Sequence, residues 1–154
     1  MYLQHFTRVQ KLPITLEEAW DFFSNPGNLK EITPSNMGFI ITSPERADAM
    51  YAGQIITYKV SPVMGIPLDW CTEITHVEKP NLFVDEQRFG PYAFWHHRHI
   101  FKAIDKGVEM TDIVYYKMPL GILGLMVNAI MVKKQLQEIF DYRYTFLENR
   151  FGKL

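Results

Sequence analysis

Residues 93–117 read AFWHHRHIFKAIDKGVEMTDIVYYK, and their alternation decides what kind of fold the chain can adopt. Successive side chains of a strand point to opposite faces of a sheet. In Ala93–Ile104, Arg98 and Lys102 share one face, which marks it as the solvent side. The other face carries Trp95, His97, His99 and Phe101. Asp105-Lys106-Gly107 reads as a tight turn, and Val108–Lys117 then alternates in the same way. There Glu109, Thr111 and Lys117 mark the outside and leave Met110, Asp112, Val114 and Tyr116 inside. A short turn between two strands implies antiparallel neighbours, because parallel pairing needs a long crossover.

Working outward, strand-like runs recur at Gly38–Thr42, Gln54–Val60, Leu68–Val77 and Leu82–Arg88. The breaks are turn chemistry: Ser43-Pro44, Gly65-Ile66-Pro67, Lys79-Pro80-Asn81 and Gly90-Pro91. A further strand spans Tyr2–Leu12. Thr15 followed by Glu18 is a capping-box signature, so a helix is expected over Leu16–Phe23, with Leu16, Ala19, Trp20 and Phe23 on one face. Asn25-Pro26-Gly27-Asn28 breaks it, and a second short helix is expected at Leu29–Ile32 before Thr33-Pro34. The C-terminal segment, about Ile122–Asn149, is helical throughout. It sets Leu125, Ala129, Val132, Leu136, Ile139, Phe140 and Leu147 on one face. The fold class is therefore α+β. A curved antiparallel sheet of about seven strands wraps a long C-terminal helix, with two short helices after the first strand.

A chain of 154 residues is expected to form a single domain, 1–154, large enough for a core without metal or disulfide staples. Its net charge of −1 gives no footprint for nucleic acid or anionic membranes. The only cysteine, Cys71, excludes an intramolecular disulfide and a cysteine metal cluster. No signal-peptide core precedes Lys11, so a cytoplasmic location is expected. The apolar run Met118–Val132 is broken by Pro119, Gly121, Gly124 and Asn128 and is shorter than the ~20 residues that span a bilayer. It reads as a loop entering a buried helix, without stable membrane insertion. Aromatics at 14% and 8 Met suit a pocket for an apolar guest, and equally suit plain core filling.

The same alternation turns Phe83, Asp85 and Gln87 inward, as well as Trp70, Thr72, Ile74, Ile56 and Tyr58. A one-residue bulge would flip any of these assignments. The interior thus acquires a polar set: Thr72, Asp85, Gln87, His97, His99 and Asp112. Burying an unpaired carboxylate costs several kcal/mol, so these groups must pair with one another, with water or with a ligand. Arg143, between Ile139 and Leu147 on the apolar stripe of the helix, is placed to pair with an inward Asp. Four readings compete. The set is a structural brace, a polar anchor for an apolar ligand, an acid–base pair of His97 or His99 with Asp85 or Asp112, or a metal site. The brace and the anchor carry most weight; the His97/His99 spacing is compatible with chelation, but no helical His-x-x-x-His, Cys pair or other metal-site motif supports the last. Cys71, His76 and His96 receive no role.

The order of elements joins several local motifs: Trp20-x-x-Phe23, Asn28-Leu29, Ile32-Thr33-Pro34, Asp85-x-Gln87-x-x-Gly90-Pro91, Trp95-x-His97-x-His99-x-Phe101, Asp112 and Tyr142-Arg143. Together they make the chain resemble the START/Bet v 1-like (SRPBCC) superfamily, over essentially its whole length. Within it, the chain looks like the bacterial ligand-binding branch often labelled cell-division-inhibitor-like. The resemblance implies a helix-grip fold with a cavity between the sheet and the last helix. It also implies lipids, sterols, polyketides or plant hormones as ligand classes, with cyclase- or aromatase-like enzymes among the members. By the same analogy, Met118–Leu125 would lie near a cavity mouth.

The leading expectation is a binding or carrier protein for a small, mostly hydrophobic molecule. Apolar contact falls to Tyr58, Trp70, Phe83, Trp95, Phe101, Met110, Tyr116, Met126 and Ala129. The polar end falls to Thr72, Asp85, Gln87, His97, His99 and Asp112. The alternatives are a cyclase- or hydratase-like enzyme, with His97 or His99 as base and Asp85 or Asp112 as orienter, and a protein-interaction module whose partner the sequence does not name. No cofactor and no metal are expected.

Overall fold

A computed structural model describes residues 3–43, 49–63, 65–119 and 131–154. Seven antiparallel strands form one curved sheet: β1 (Gln4–Leu12), β2 (Ile40–Ile41), β3 (Ile55–Val63), β4 (Ile66–Glu78), β5 (Leu82–Phe89), β6 (Phe94–Ile104) and β7 (Gly107–Lys117). Their order across the sheet is β1-β7-β6-β5-β4-β3-β2, so the first strand pairs with the last while the rest follow the chain. Helix α1 (Leu16–Phe23) and helix α2 (Lys133–Phe151) complete the described framework, with 3₁₀ turns at Pro26–Lys30 and Ser35–Met37.

The α1 boundary follows from its cap. Thr15 Oγ1 accepts from the Glu18 amide at 3.1 Å, and the Thr15 amide donates to the Glu18 carboxylate at 2.8 Å. Such a cap stabilises a helix start by ~1 kcal/mol. The helix buries Ala19, Trp20, Phe22 and Phe23. Trp20 meets Phe83 and Phe101 edge-on at 6.0 and 6.1 Å, which ties α1 to β5 and β6.

Three local expectations need correction. Asn25-Pro26-Gly27-Asn28 does end α1, but it also starts a 3₁₀ turn. The Asn25 side chain accepts from the Gly27 amide at 2.9 Å, and Pro26 supplies the fixed φ of a first helical position. The second short helix is therefore Pro26–Lys30, earlier than Leu29–Ile32. The strand expected over Gly38–Thr42 shrinks to Ile40–Ile41, because Gly38 is left-handed at φ 56°. In Gly65-Ile66-Pro67 only Gly65 turns, while Ile66 and Pro67 belong to β4. Pro67 is tolerated because β4 pairs with β5 only from Cys71 onward, so its missing N–H faces no partner on that side.

The expected facing holds on β3, β5, β6 and β7 and on β4 as far as Ile74. A bulge between Ile74 and His76 then shifts the β4–β5 register, so that Val77 comes opposite Phe83 and packs against the core. Helix α2 buries Leu136, Phe140 and Leu147, with Ile139 half-buried, and ends at Phe151, slightly past the expected end. The expected start at Ile122, and Leu125 and Ala129 on its stripe, lie outside the described residues. Among the described residues no helix is long and apolar enough to cross a membrane.

The core is divided. One cluster gathers Leu12, Trp20, Phe83, Phe101, Val108, Met110 and Leu147, and another gathers Val114, Tyr116, Val132, Leu136 and Phe140. On β6 and β7 the residues between the two clusters are His97, His99 and Asp112, all buried.

Candidate functional site

Strand register builds the site. Asp85 on β5 pairs with His97 on β6, and His99 on β6 pairs with Asp112 on β7. All four point to the concave face, so two direct and two diagonal cross-strand contacts become available. The diagonals make the shorter contacts: His97 Nε2 to Asp112 Oδ1 at 2.9 Å and His99 Nε2 to Asp85 Oδ2 at 2.7 Å. The direct pairs close the figure, His97 Nδ1 to Asp85 Oδ2 at 3.4 Å and His99 Nδ1 to Asp112 Oδ1 at 3.2 Å. Each imidazole therefore bridges both carboxylates. The Trp95 indole donates to the remaining Asp85 oxygen at 3.1 Å, and Phe83 stacks on His99 at 4.0 Å.

Burial would push the His97 imidazole down. The Asp85 charge and the hydrogen bonds to Asp112 and Asp85 override it and push the pKa up to about 9. Burial likewise raises the Asp85 carboxyl, but the His97 charge and the bonds from His97 and His99 hold it well below the carboxylate range. For Asp112, burial is again overcome, by hydrogen bonds from His97 and His99 and by the charges of His97 and Arg143, and the carboxyl is also held well below the carboxylate range. At neutral pH His97 is thus an imidazolium between two carboxylates. It has no lone pair with which to take a proton from a substrate, and both His99 nitrogens face aspartate oxygens. Asp85, His97 and His99 each bring a ligand atom within 4.8 Å of the others, so donors for a cation converge there. A metal would have to displace the His97 proton beside the Arg143 charge.

The cluster lines one wall of a cavity of about 330 Å³ between the sheet and α2. This is near the lower end of the range for small-molecule pockets. Of the residues singled out in the sequence, Tyr58, Trp70, Thr72, Phe83, Asp85, Trp95, His97 and His99 line it. Tyr58 stacks on Trp70 at 5.7 Å, and Trp70 meets Trp95 and Tyr92 edge-on, each at 5.4 Å, giving an aromatic wall. The Tyr58 hydroxyl lies 3.2 Å from Thr72 Oγ1, and burial with the nearby Asp85 charge keeps it protonated.

Other expected contacts lie elsewhere. Phe101 and Met110 belong to the core beside Trp20, because their strand positions fall past the polar row. Asp112 sits behind the imidazoles, and Tyr116 packs in the second cluster. Gln87 braces a turn: its side chain donates to the Tyr92 carbonyl at 2.6 Å and accepts from the Tyr92 amide at 3.1 Å. Met126 and Ala129 lie outside the described residues, as does the Met118–Leu125 loop beyond Pro119; Met118 itself lines the cavity.

Sequence reasoning missed Tyr92, Phe39, Met37 and Met131 as lining residues. Tyr92 follows Gly90-Pro91 and carries no strand alternation to orient it. Arg143 was legible through its place on the apolar stripe, and its Nη1 lies 3.6 Å from Asp112 Oδ1.

No family model and no curated protein sequence matches the chain. Solved structures do. TTHA0849 from Thermus thermophilus superposes with a TM-score of 0.71 at 17% identity, covering 96% of each chain. Ara h 8.0201 gives 0.66 at 14% identity, covering 96% of this chain and 99% of that one. Major latex-like protein 151 from Panax ginseng gives 0.69 at 11% identity, covering 97% of each. These likenesses are ones of fold, and the fold is the helix-grip, Bet v 1-like one that the sequence motifs resemble.

Proposed function

We propose that the protein binds and carries a small, mostly apolar molecule in the cavity between the sheet and α2. The observation that carries this reading is the cavity of about 330 Å³, walled by aromatic and aliphatic side chains, with a few polar groups converging at one side. A core of ordinary packing closes such space, because each unfilled volume forfeits dispersion contacts. The ligand-binding reading agrees with what the superfamily resemblance implies. It is also favoured over base catalysis by the state of the imidazoles, whose nitrogens are engaged by Asp85 and Asp112.

Mass spectrometry of organic extracts from the natively purified protein, with thermal-shift screening of lipids and aromatic compounds, tests the proposal. A co-purifying apolar compound that raises the melting temperature on re-addition supports it. A cavity that neither retains nor accepts any apolar compound sinks it.

A further inference from the structure

We propose that the cavity is built for a ligand bearing a carboxylate, and that Arg143 on α2 receives it. The inference rests on the ligand-binding reading above and names the ligand's head group. Arg143 lines the cavity, and its side chain is only 11% exposed. A guanidinium keeps its charge and all five N–H donors in any protein environment. Yet among the described residues Arg143 makes no hydrogen bond. Its contact with Asp112 is 3.6 Å, beyond hydrogen-bond reach, and its carbon sits 4.8 Å over the Phe140 ring. Its Nε is buried without a partner. Buried donors left unmet are costly and uncommon, so an acceptor belongs there. A carboxylate matches the fork, with two oxygens for two parallel N–H groups.

The remaining polar atoms point the same way. Asp112 Oδ1 takes the His97 bond at 2.9 Å and stands 3.6 Å from Arg143 Nη1. Both Asp85 oxygens are occupied, one by Trp95 and the other by His99. A ligand with an amine head would find these acceptors engaged and the Arg143 charge opposing it. A second orphan donor supports this independently. Among the described residues the Trp70 indole N–H is also buried and unpartnered, and Trp70 lines the same cavity. The pocket therefore has two buried donors to spare, the Arg143 Nε–H and the Trp70 indole N–H. Its aromatic wall asks for an apolar body behind the head, so the ligand class is an aliphatic or aromatic monocarboxylate.

Calorimetry at pH 7 with two matched pairs tests this: decanoate against decan-1-ol, and 2-naphthoate against 2-naphthol. In at least one pair the wild-type protein is expected to bind the carboxylate at least ~10-fold more tightly than the alcohol. Arg143→Met should abolish that preference and leave alcohol affinity within about twofold, with Arg143→Lys retaining part of it. Because Arg143→Met can fail to fold, the Nε–H resonance of Arg143 in the wild-type protein supplies a second readout. It should move on addition of the carboxylate and stay in place with the alcohol. Equal affinity within both pairs, or an unmoved resonance, overturns the carboxylate assignment and leaves the apolar cavity reading standing. Binding of none of the four probes overturns both.

Discussion

The imidazoles of His97 and His99 lie 3.7 Å apart, and each reaches both Asp85 and Asp112. Their spacing is that of alternate residues on one strand face, and the aspartates come from the strands on either side. The closed figure joins β5, β6 and β7 where the core divides into two clusters. A polar row in that place interrupts hydrophobic contact along three strands, so its pairing must compensate for burial. Its Asp112 also stands 3.6 Å from the Arg143 guanidinium.

Stability should fall on the alkaline side of neutrality. The folded value of His97, about 9, lies above its ordinary value near 6.5. Its contribution is therefore complete below about pH 6.5 and is lost as pH rises through about 9. Asp85 and Asp112 are shifted down, so their contribution is complete above about pH 4 and fails only as pH falls toward their folded values. Urea unfolding is expected to give a plateau between about pH 5 and 6.5, then a loss on the order of a few kcal/mol by about pH 9.5. A histidine NMR titration gives the direct check. A His97 imidazole that deprotonates between pH 6 and 7 would sink the prediction.

Asp112→Asn should destabilise the fold strongly although it changes hardly any volume. The substitution leaves His97 and Arg143 as buried cations with only the Asp85 charge nearby. Breaking a buried charge pair by removing one partner costs about 3–5 kcal/mol. Equilibrium unfolding at pH 6 measures it, and in the same variant the His97 resonance should titrate at lower pH. A loss under about 1 kcal/mol would mean that the network contributes little.

Most of this framework was legible because the strands on either side of residue 105 alternate cleanly. Arg98 and Lys102 on one face and Glu109 and Thr111 on the next oriented His97, His99 and Asp112 without any tertiary information. Arg143 was similarly readable from its position between Ile139 and Leu147. The closure of the four groups was not, because it depends on the relative register of three strands, which turn length sets only in part. The bulge before His76 left no mark in the composition, and the orientation of Tyr92 comes from the Gln87 side chain instead of an alternation. The sequence motif Asp85-x-Gln87-x-x-Gly90-Pro91 had a recognisable form before its mechanics were visible.

Those mechanics yield a double-mutant prediction. Gly90 has φ 155°, and a Cβ there would stand 2.5 Å from Gln87 Oε1. Gly90→Ala should therefore cost more than ~1 kcal/mol, from backbone strain and from displacement of Gln87 off the Tyr92 backbone. In a Gln87→Ala background the clash disappears and only the backbone part is left. The coupling between the two substitutions, read from urea unfolding of the four proteins, should be at least ~0.5 kcal/mol. Additive costs would mean that Gln87 does not hold the turn.

Trp70→Phe separates a donor from the ring that carries it. The ring stacks on Tyr58 and meets Tyr92 and Trp95, contacts a phenyl group largely retains. The indole N–H has no partner among the described residues, so removing it relieves a desolvation cost of about 1–3 kcal/mol while the smaller ring forfeits packing of similar size. Ligand-free stability is expected to change by less than ~1 kcal/mol, far below the roughly 3–5 kcal/mol typical of truncating a buried aromatic to alanine. A ligand with a second acceptor that reaches this N–H should nevertheless bind the variant more weakly, which a calorimetric comparison of 6-hydroxy-2-naphthoate with 2-naphthoate reads. A loss of several kcal/mol in the ligand-free protein would show that the indole N–H is already satisfied, and Trp70 would then drop out of the set of donors offered to the ligand.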